Sequence, residues 1–323
     1  MDPTFVRRMA SPDCYLHSLD GAAAKFVPMD RDAYRRSIFL DHRIALAEGE
    51  QFDIDLVQLA EIVPKPQPTG WIFHVAHCGS TLLARALEEL TDGLVLREPL
   101  ALRQLALGPS QLELPAVLAL LGRRYPGMGR TVIKANVPVN FMLEQIAAAD
   151  PEAPAILLYS RLPDYLLAVL RSPQHRGWVR TISGHLAVHL DADDAASDAE
   201  LAAALWLAQH RRFAVALDAM PQARTLEAEQ FYARPEVAMT SAARLFGLPA
   251  DPQIAANIAA GPLFATYSKG AGQPFDNAVR LARRDLLAEQ LRSDIAEAGT
   301  WLARRNVDAD ALVATLAQVS LIA

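Results

Sequence analysis

The sequence predicts an α/β protein in three layers, a parallel sheet with helices on both faces. Short, mostly apolar runs of strand length recur through the chain, as at Trp71 to Ala76 and Ala155 to Ser160. Longer segments with helical spacing of their apolar residues follow most of them. Glycine or proline marks the junctions. Strands that alternate with helices in this way form βαβ units, and buried parallel strands read as continuous apolar runs rather than alternating ones.

Each element can be justified in order. Asp30 to Arg36 reads as a short helix, and Phe52 to Val63 as another. Pro64-Lys65-Pro66-Gln67-Pro68-Thr69-Gly70 then stops any helix, because proline lacks the amide hydrogen and clashes with the preceding turn. This linker divides the chain into an N-terminal extension or cap, residues 1–69, and a larger domain, residues 70–323. Trp71 to Ala76 is the first buried strand, and Thr81 to Leu87 the helix after it. Gly93 to Leu96, Thr131 to Ile133 (ending at Lys134) and Ala155 to Ser160 are further strands. Helices are expected from Pro138 and Pro163, through most of Arg176 to Met220, and at Pro235–Phe246 and Asn277–Arg305. Arg224-Thr225-Leu226 reads as a last strand.

Composition narrows the function classes. Of 323 residues, 52% are apolar and 21% charged, which fits a globular chain. Lys+Arg 31 against Asp+Glu 37 gives a net charge of −6, so no wide basic surface for nucleic acid is expected. Only Lys25, Lys65, Lys134 and Lys269 are lysines, so each deserves a location. Cys14 and Cys78 are far apart and show no metal-binding spacing, so neither a disulfide framework nor a metal site is expected. His185 and His189, with the aspartates after them, read as a solvated helix end, and His74 as a buried, hydrogen-bonded residue. The first residues lack the apolar run of a signal peptide, and no segment is long and apolar enough to span a bilayer. A cytoplasmic location is therefore expected. Homo-oligomer formation is left open.

The most informative segment is the turn His77-Cys78-Gly79-Ser80-Thr81 between a strand and a helix. Such a turn binds anions, since backbone N–H groups point outward and the helix dipole favours negative charge. It is not a Walker A loop: His74 stands at the first glycine position and Ser80 at the lysine.

The turn resembles the 5′-phosphosulfate loop of sulfotransferases that use 3′-phosphoadenosine-5′-phosphosulfate (PAPS), with His77 at the basic position. Further segments are similar in the same order: Arg97-Glu98-Pro99 to the Glu-Pro of bacterial members, and Lys134-Ala135-Asn136-Val137-Pro138 to a Lys-x-His-x-Pro strand end. Tyr159-Ser160-Arg161-Leu162-Pro163 resembles the 3′-phosphate strand, Leu226-Glu227 through Phe246-Gly247-Leu248 a late helical segment, and Tyr267-Ser268-Lys269-Gly270 a late loop over the nucleotide. The resemblance spans about residues 70–305.

It implies a divergent, bacterial-type sulfotransferase with a P-loop-like fold, passing a sulfuryl group from PAPS to a hydroxyl or amine of a small molecule or glycan. Cys78, Gly79, Ser80 and Thr81 would cradle the phosphosulfate. Arg161, Ser172, Ser268, Lys269 and Gly270 would hold the 3′-phosphate side, with Ser172 one turn beyond the family's serine position, which is Val169. Lys134 would neutralise the sulfuryl oxygens. His77 would support the leaving phosphate. Asn136 replaces the family's basic histidine and cannot take a proton, so Glu98 is the candidate base; the alternative is a helix-capping acid before Pro99. Two rivals stay open: a phosphotransferase of the same fold, disfavoured by the missing Walker lysine, and a degenerate, non-catalytic nucleotide-binding protein, which His77 and Asn136 keep in play.

Overall fold

The structure, a computed structural model, describes residues 3–91, 93–108, 112–266 and 276–322. Eight strands form two sheets among the described residues: β1 (Cys14–Asp20), β2 (Ala23–Pro28), β3 (Phe52–Asp55), β4 (Thr69–His74), β5 (Val95–Arg97), β6 (Thr131–Lys134), β7 (Ala155–Tyr159) and β8 (Ala223–Glu227). The main sheet is all parallel, in the order β5-β6-β4-β7-β8. Every residue of β4, β5, β6 and β7 is buried. Side chains alternate between the two faces of a strand, so complete burial means that layers cover both faces, as the apolar runs predict.

β4 lies at the centre because its residues have nothing to gain from solvent. Trp71, Ile72 and Phe73 are fully buried, and the Trp71 and Phe73 rings stack at 5.3 Å between centroids. Being central, β4 delivers the loop after it to the middle of the sheet's carboxyl edge, where α/β proteins bind ligands.

The N-terminal segment differs from expectation. It forms an antiparallel sheet, β1-β2-β3. Phe52 to Val63 is not one helix but β3 followed by a short helix, Leu56–Ala60. Asp55 explains the switch, since its carboxylate accepts the amides of Val57 and Gln58 and starts the helix there. The predicted helix Asn277–Arg305 is two helices, Asn277–Gln290 and Arg292–Arg304, with Leu291 between them.

The small sheet shares one apolar core with the large one, from Tyr15 and Phe26 through to Trp71 and Val95. A polar anchor reinforces that contact. The buried Arg97 side chain at the end of β5 bonds Glu88 at 2.8 Å and the carbonyl oxygen of Ser37 at 2.6 Å, and reaches the carbonyl of Tyr34. Arg97→Met should therefore leave Glu88 buried without its partner and two carbonyls without donors. We expect a loss of about 3–5 kcal/mol in urea denaturation. A loss below about 1 kcal/mol would show that the anchor is dispensable.

Candidate active site

The carboxyl ends of the parallel strands meet around the turn after β4. Ala76, His77 and Gly79 have φ of 70°, 52° and 89°, all left-handed. Two of these are not glycine, and such conformations persist only where the surroundings enforce them. His74 supplies part of that enforcement: its Nδ1 accepts the Ala76 amide at 3.0 Å, and its carbonyl accepts Asn140 Nδ2 at 3.0 Å. Gly79 is tightly covered as well. A Cβ there would lie 2.8 Å from the Tyr232 hydroxyl and 3.1 Å from the Phe231 ring. The helix Ser80–Thr91 starts immediately after, so the amides of its first turn lack intrahelical acceptors. The Thr81 hydroxyl is buried and has no hydrogen-bond partner among the described residues.

Two adjoining clefts open at this loop. The first is lined by residues 77–81, Ser160 and Tyr232, with Arg171, Arg280, Arg283 and Arg284 opposite Asp164 and Glu229. Arg280 grips Glu229 through two bonds, 2.6 and 2.8 Å, and Arg284 Nε bonds Asp164 at 2.6 Å. Four guanidinium groups against two carboxylates leave the cleft positive, in a chain of net charge −6.

The second cleft contains Glu98, His74, Asn136, Arg103 and Trp178, with Phe39, Asp41 and Arg43 from the N-terminal segment as one wall. His77, Arg171 and Arg283 line both clefts. His77 sits against His175 at 5.0 Å and edge-on to Trp178 at 5.4 Å between ring centroids.

Glu98 follows β5 with a φ of 56°, another left-handed non-glycine residue. Lys134 at the end of β6, wholly buried, donates its ammonium to Glu98 Oε1, and His74 Nε2 lies 3.6 Å from the same oxygen. Since His74 Nδ1 accepts from Ala76, its neutral ring carries the proton on Nε2, facing the carboxylate. Burial pushes the Glu98 carboxyl up, but Lys134 and His74 outweigh it and hold the group far below the usual carboxylate range. Glu98 is therefore ionised, a carboxylate that can accept hydrogen bonds from a ligand in the cleft. Lys134 lines neither cleft and touches the site through Glu98. Asn136 is buried, and its Oδ1 has no hydrogen-bond partner among the described residues.

The predicted residues thus divide. His77, Cys78, Gly79, Ser80 and Thr81 stand together in the first cleft. The Cys78 thiol is buried, 3.8 Å from the Leu158 carbonyl, so the backbone is what that residue can offer a ligand. Arg161 lines neither cleft. It is mostly exposed and bonds Glu227 at 2.8 Å. Ser172 lies in the second cleft, capping the helix Pro173–His185 with its Oγ 2.7 Å from His175 Nδ1. Ser268, Lys269 and Gly270 lie outside the described residues.

Sequence reasoning missed Arg171, Arg280, Arg283 and Arg284. The last three share one face of the helix Asn277–Gln290 by their spacing, a visible signal. Charges on a helix ordinarily face solvent, however, and only the fold turns this face toward the loop. Arg103, His175 and Trp178 carried no sequence signal.

No protein-family model matches the sequence, and no curated protein matches it. Among solved structures, the chain is similar to a sulfotransferase from Alicyclobacillus acidocaldarius, with 18% identity and a TM-score of 0.40, over 76% of this chain and 98% of that one. It is also similar to the sulfotransferase domain from the curacin biosynthetic pathway, with 14% identity and a TM-score of 0.44, over 74% of this chain and 98% of that one. The functional reading is carried by the charge and geometry of this chain's own two clefts.

Proposed function

We propose that the chain is a sulfotransferase-like enzyme that moves a sulfuryl group from PAPS to a hydroxyl or amine. The observation that carries this reading is the meeting of two clefts at His77, one positive and built on a strained anion-binding turn, the other containing an ionised carboxylate.

PAPS fits the first cleft. The amides of the turn, the Ser80 hydroxyl and the unpartnered Thr81 hydroxyl suit the 5′-phosphosulfate. The planar forks of Arg171 and Arg283, which line the same cleft, suit a further phosphate. The acceptor lies in the second cleft. Its oxygen attacks sulfur as Glu98 takes its proton. The new S–O bond forms while the bond from sulfur to the phosphate oxygen breaks, and adenosine 3′,5′-bisphosphate leaves. Negative charge grows on that phosphate, where the amides of the turn and the His77 ring stabilise it. Lys134 holds Glu98 ionised before the acceptor binds, and the proton moves to it only as the attacking oxygen gives up electron density to sulfur.

The absence of a lysine in the turn, and the engagement of Lys134 by Glu98, count against nucleoside triphosphate chemistry. Thermal unfolding tests the reading. Adenosine 3′,5′-bisphosphate at a hundredfold its Kd should stabilise the chain by about 2.7 kcal/mol, and ATP–Mg²⁺ by much less. No shift with millimolar bisphosphate would sink the proposal. A shift without sulfuryl transfer to any of a panel of alcohols, phenols and amines would favour the non-catalytic binder.

A further inference from the structure

The second cleft has an uneven charge balance. Its two carboxylates are already neutralised: Asp41 accepts Arg43 Nε at 2.9 Å, and Glu98 accepts Lys134. Arg171 is engaged through Nε with His175 at 2.9 Å. Arg103 has no ion pair or side-chain hydrogen bond among the described residues, and it is half-buried in the cleft. A partly desolvated guanidinium with neutralised acids around it favours an anion, and its planar fork matches a carboxylate.

Its position also sets a length. Arg103 lies on the helix Leu100–Leu107, which begins directly after Glu98-Pro99. Arg103 is the fourth helical residue, about 4.5 Å of rise from Leu100, and the non-helical Glu98-Pro99 step adds up to about 7 Å more. A ligand with its hydroxyl at Glu98 and its anion at Arg103 would need about a ring between them. Trp178, Val137 and Pro138 provide an apolar wall for such a ring.

We propose that Arg103 forms an anion subsite, and that the acceptor is a ring-bearing alcohol or phenol that also carries a carboxylate. This rests on the sulfuryl-transfer reading for the hydroxyl at Glu98, while the anion subsite stands on the cleft's charges alone. Arg103 is a specificity residue with no part in the proton transfer.

Calorimetry with 4-hydroxyphenylacetate and its neutral amide, at saturating adenosine 3′,5′-bisphosphate, tests it. The native chain should bind the carboxylate at least roughly tenfold more tightly than the amide, as an added charged hydrogen bond provides. Arg103→Gln should erase that preference and leave the affinities for the amide and the bisphosphate unchanged. Equal affinity for the two probes in the native chain, a preference that survives in Arg103→Gln, or no binding of the carboxylate at millimolar concentration would each overturn the subsite. A carboxylate preference that depends on Arg103, in a chain that does not bind the bisphosphate, would overturn the sulfuryl reading and leave the subsite standing.

Discussion

Glu98→Gln is expected to destabilise the chain by about 3–5 kcal/mol, because it leaves the wholly buried Lys134 ammonium without its counter-charge. The double variant Glu98→Gln, Lys134→Met should recover most of that loss, since an apolar side chain of similar length does not need a partner there. The proposed sulfuryl transfer should fall by about 10²–10⁴ in both variants, as each lacks the carboxylate proposed as the base. Urea denaturation therefore separates the structural part of the pair from the catalytic part. Acid should reveal the same pair. The Glu98 carboxyl is held low in the folded chain and takes its ordinary value of about 4.3 in the unfolded one. Its stabilising contribution is complete above that value and declines as the pH falls further, because the unfolded chain then binds a proton that the folded chain resists. The stability gap between the native chain and Lys134→Met should thus narrow between pH 6 and pH 3. A gap that stays constant over this range would remove the ion pair from the explanation.

On the proposed reading, Gly79→Ala should weaken binding of adenosine 3′,5′-bisphosphate. The residue has a φ of 89°, where an L side chain is strained, and its Cβ would lie 2.8 Å from the Tyr232 hydroxyl. The turn must move to accommodate it, which displaces the amides proposed to hold the phosphosulfate. A displacement of about 1 Å in a positioned site is worth roughly a hundredfold, and we expect a loss of bisphosphate affinity of that size in calorimetry. Gly79→Ala with Tyr232→Phe removes the oxygen but not the backbone strain, so it should recover little. Native affinity in Gly79→Ala would mean that the turn is not the binding element.

The site was legible where a residue's place follows from its own strand. Residues 77–81, Glu98 and Asn136 follow the ends of β4, β5 and β6, Lys134 closes β6, and parallel strands bring their carboxyl ends to one edge. Arg161 also follows a strand, β7, yet it turns outward to Glu227. Strand position sets where a backbone emerges, whereas side-chain direction depends on which charged neighbour is nearer. The arginines of the helix Asn277–Gln290 are more than a hundred residues from the turn in sequence. Nothing local reports which element that helix faces.

The N-terminal segment follows the same logic. Its strands are antiparallel, and β3 has only four residues, too few for alternation to stand out from a helical pattern. Its contribution of Phe39, Asp41 and Arg43 to the second cleft arises through long-range packing.

By itself, the sequence determined the parallel sheet, the tight turn between β4 and the helix after it, and the acidic residue after β5, because buried strands and tight turns are written in consecutive residues. Tertiary structure alone decided that Lys134 is spent on Glu98, that His74 braces the turn and lies beside the carboxylate, and that Arg103 faces a cleft with no side-chain partner among the described residues. Those outcomes depend on which charges meet across the fold, a property of distance in space that no local pattern of residues encodes.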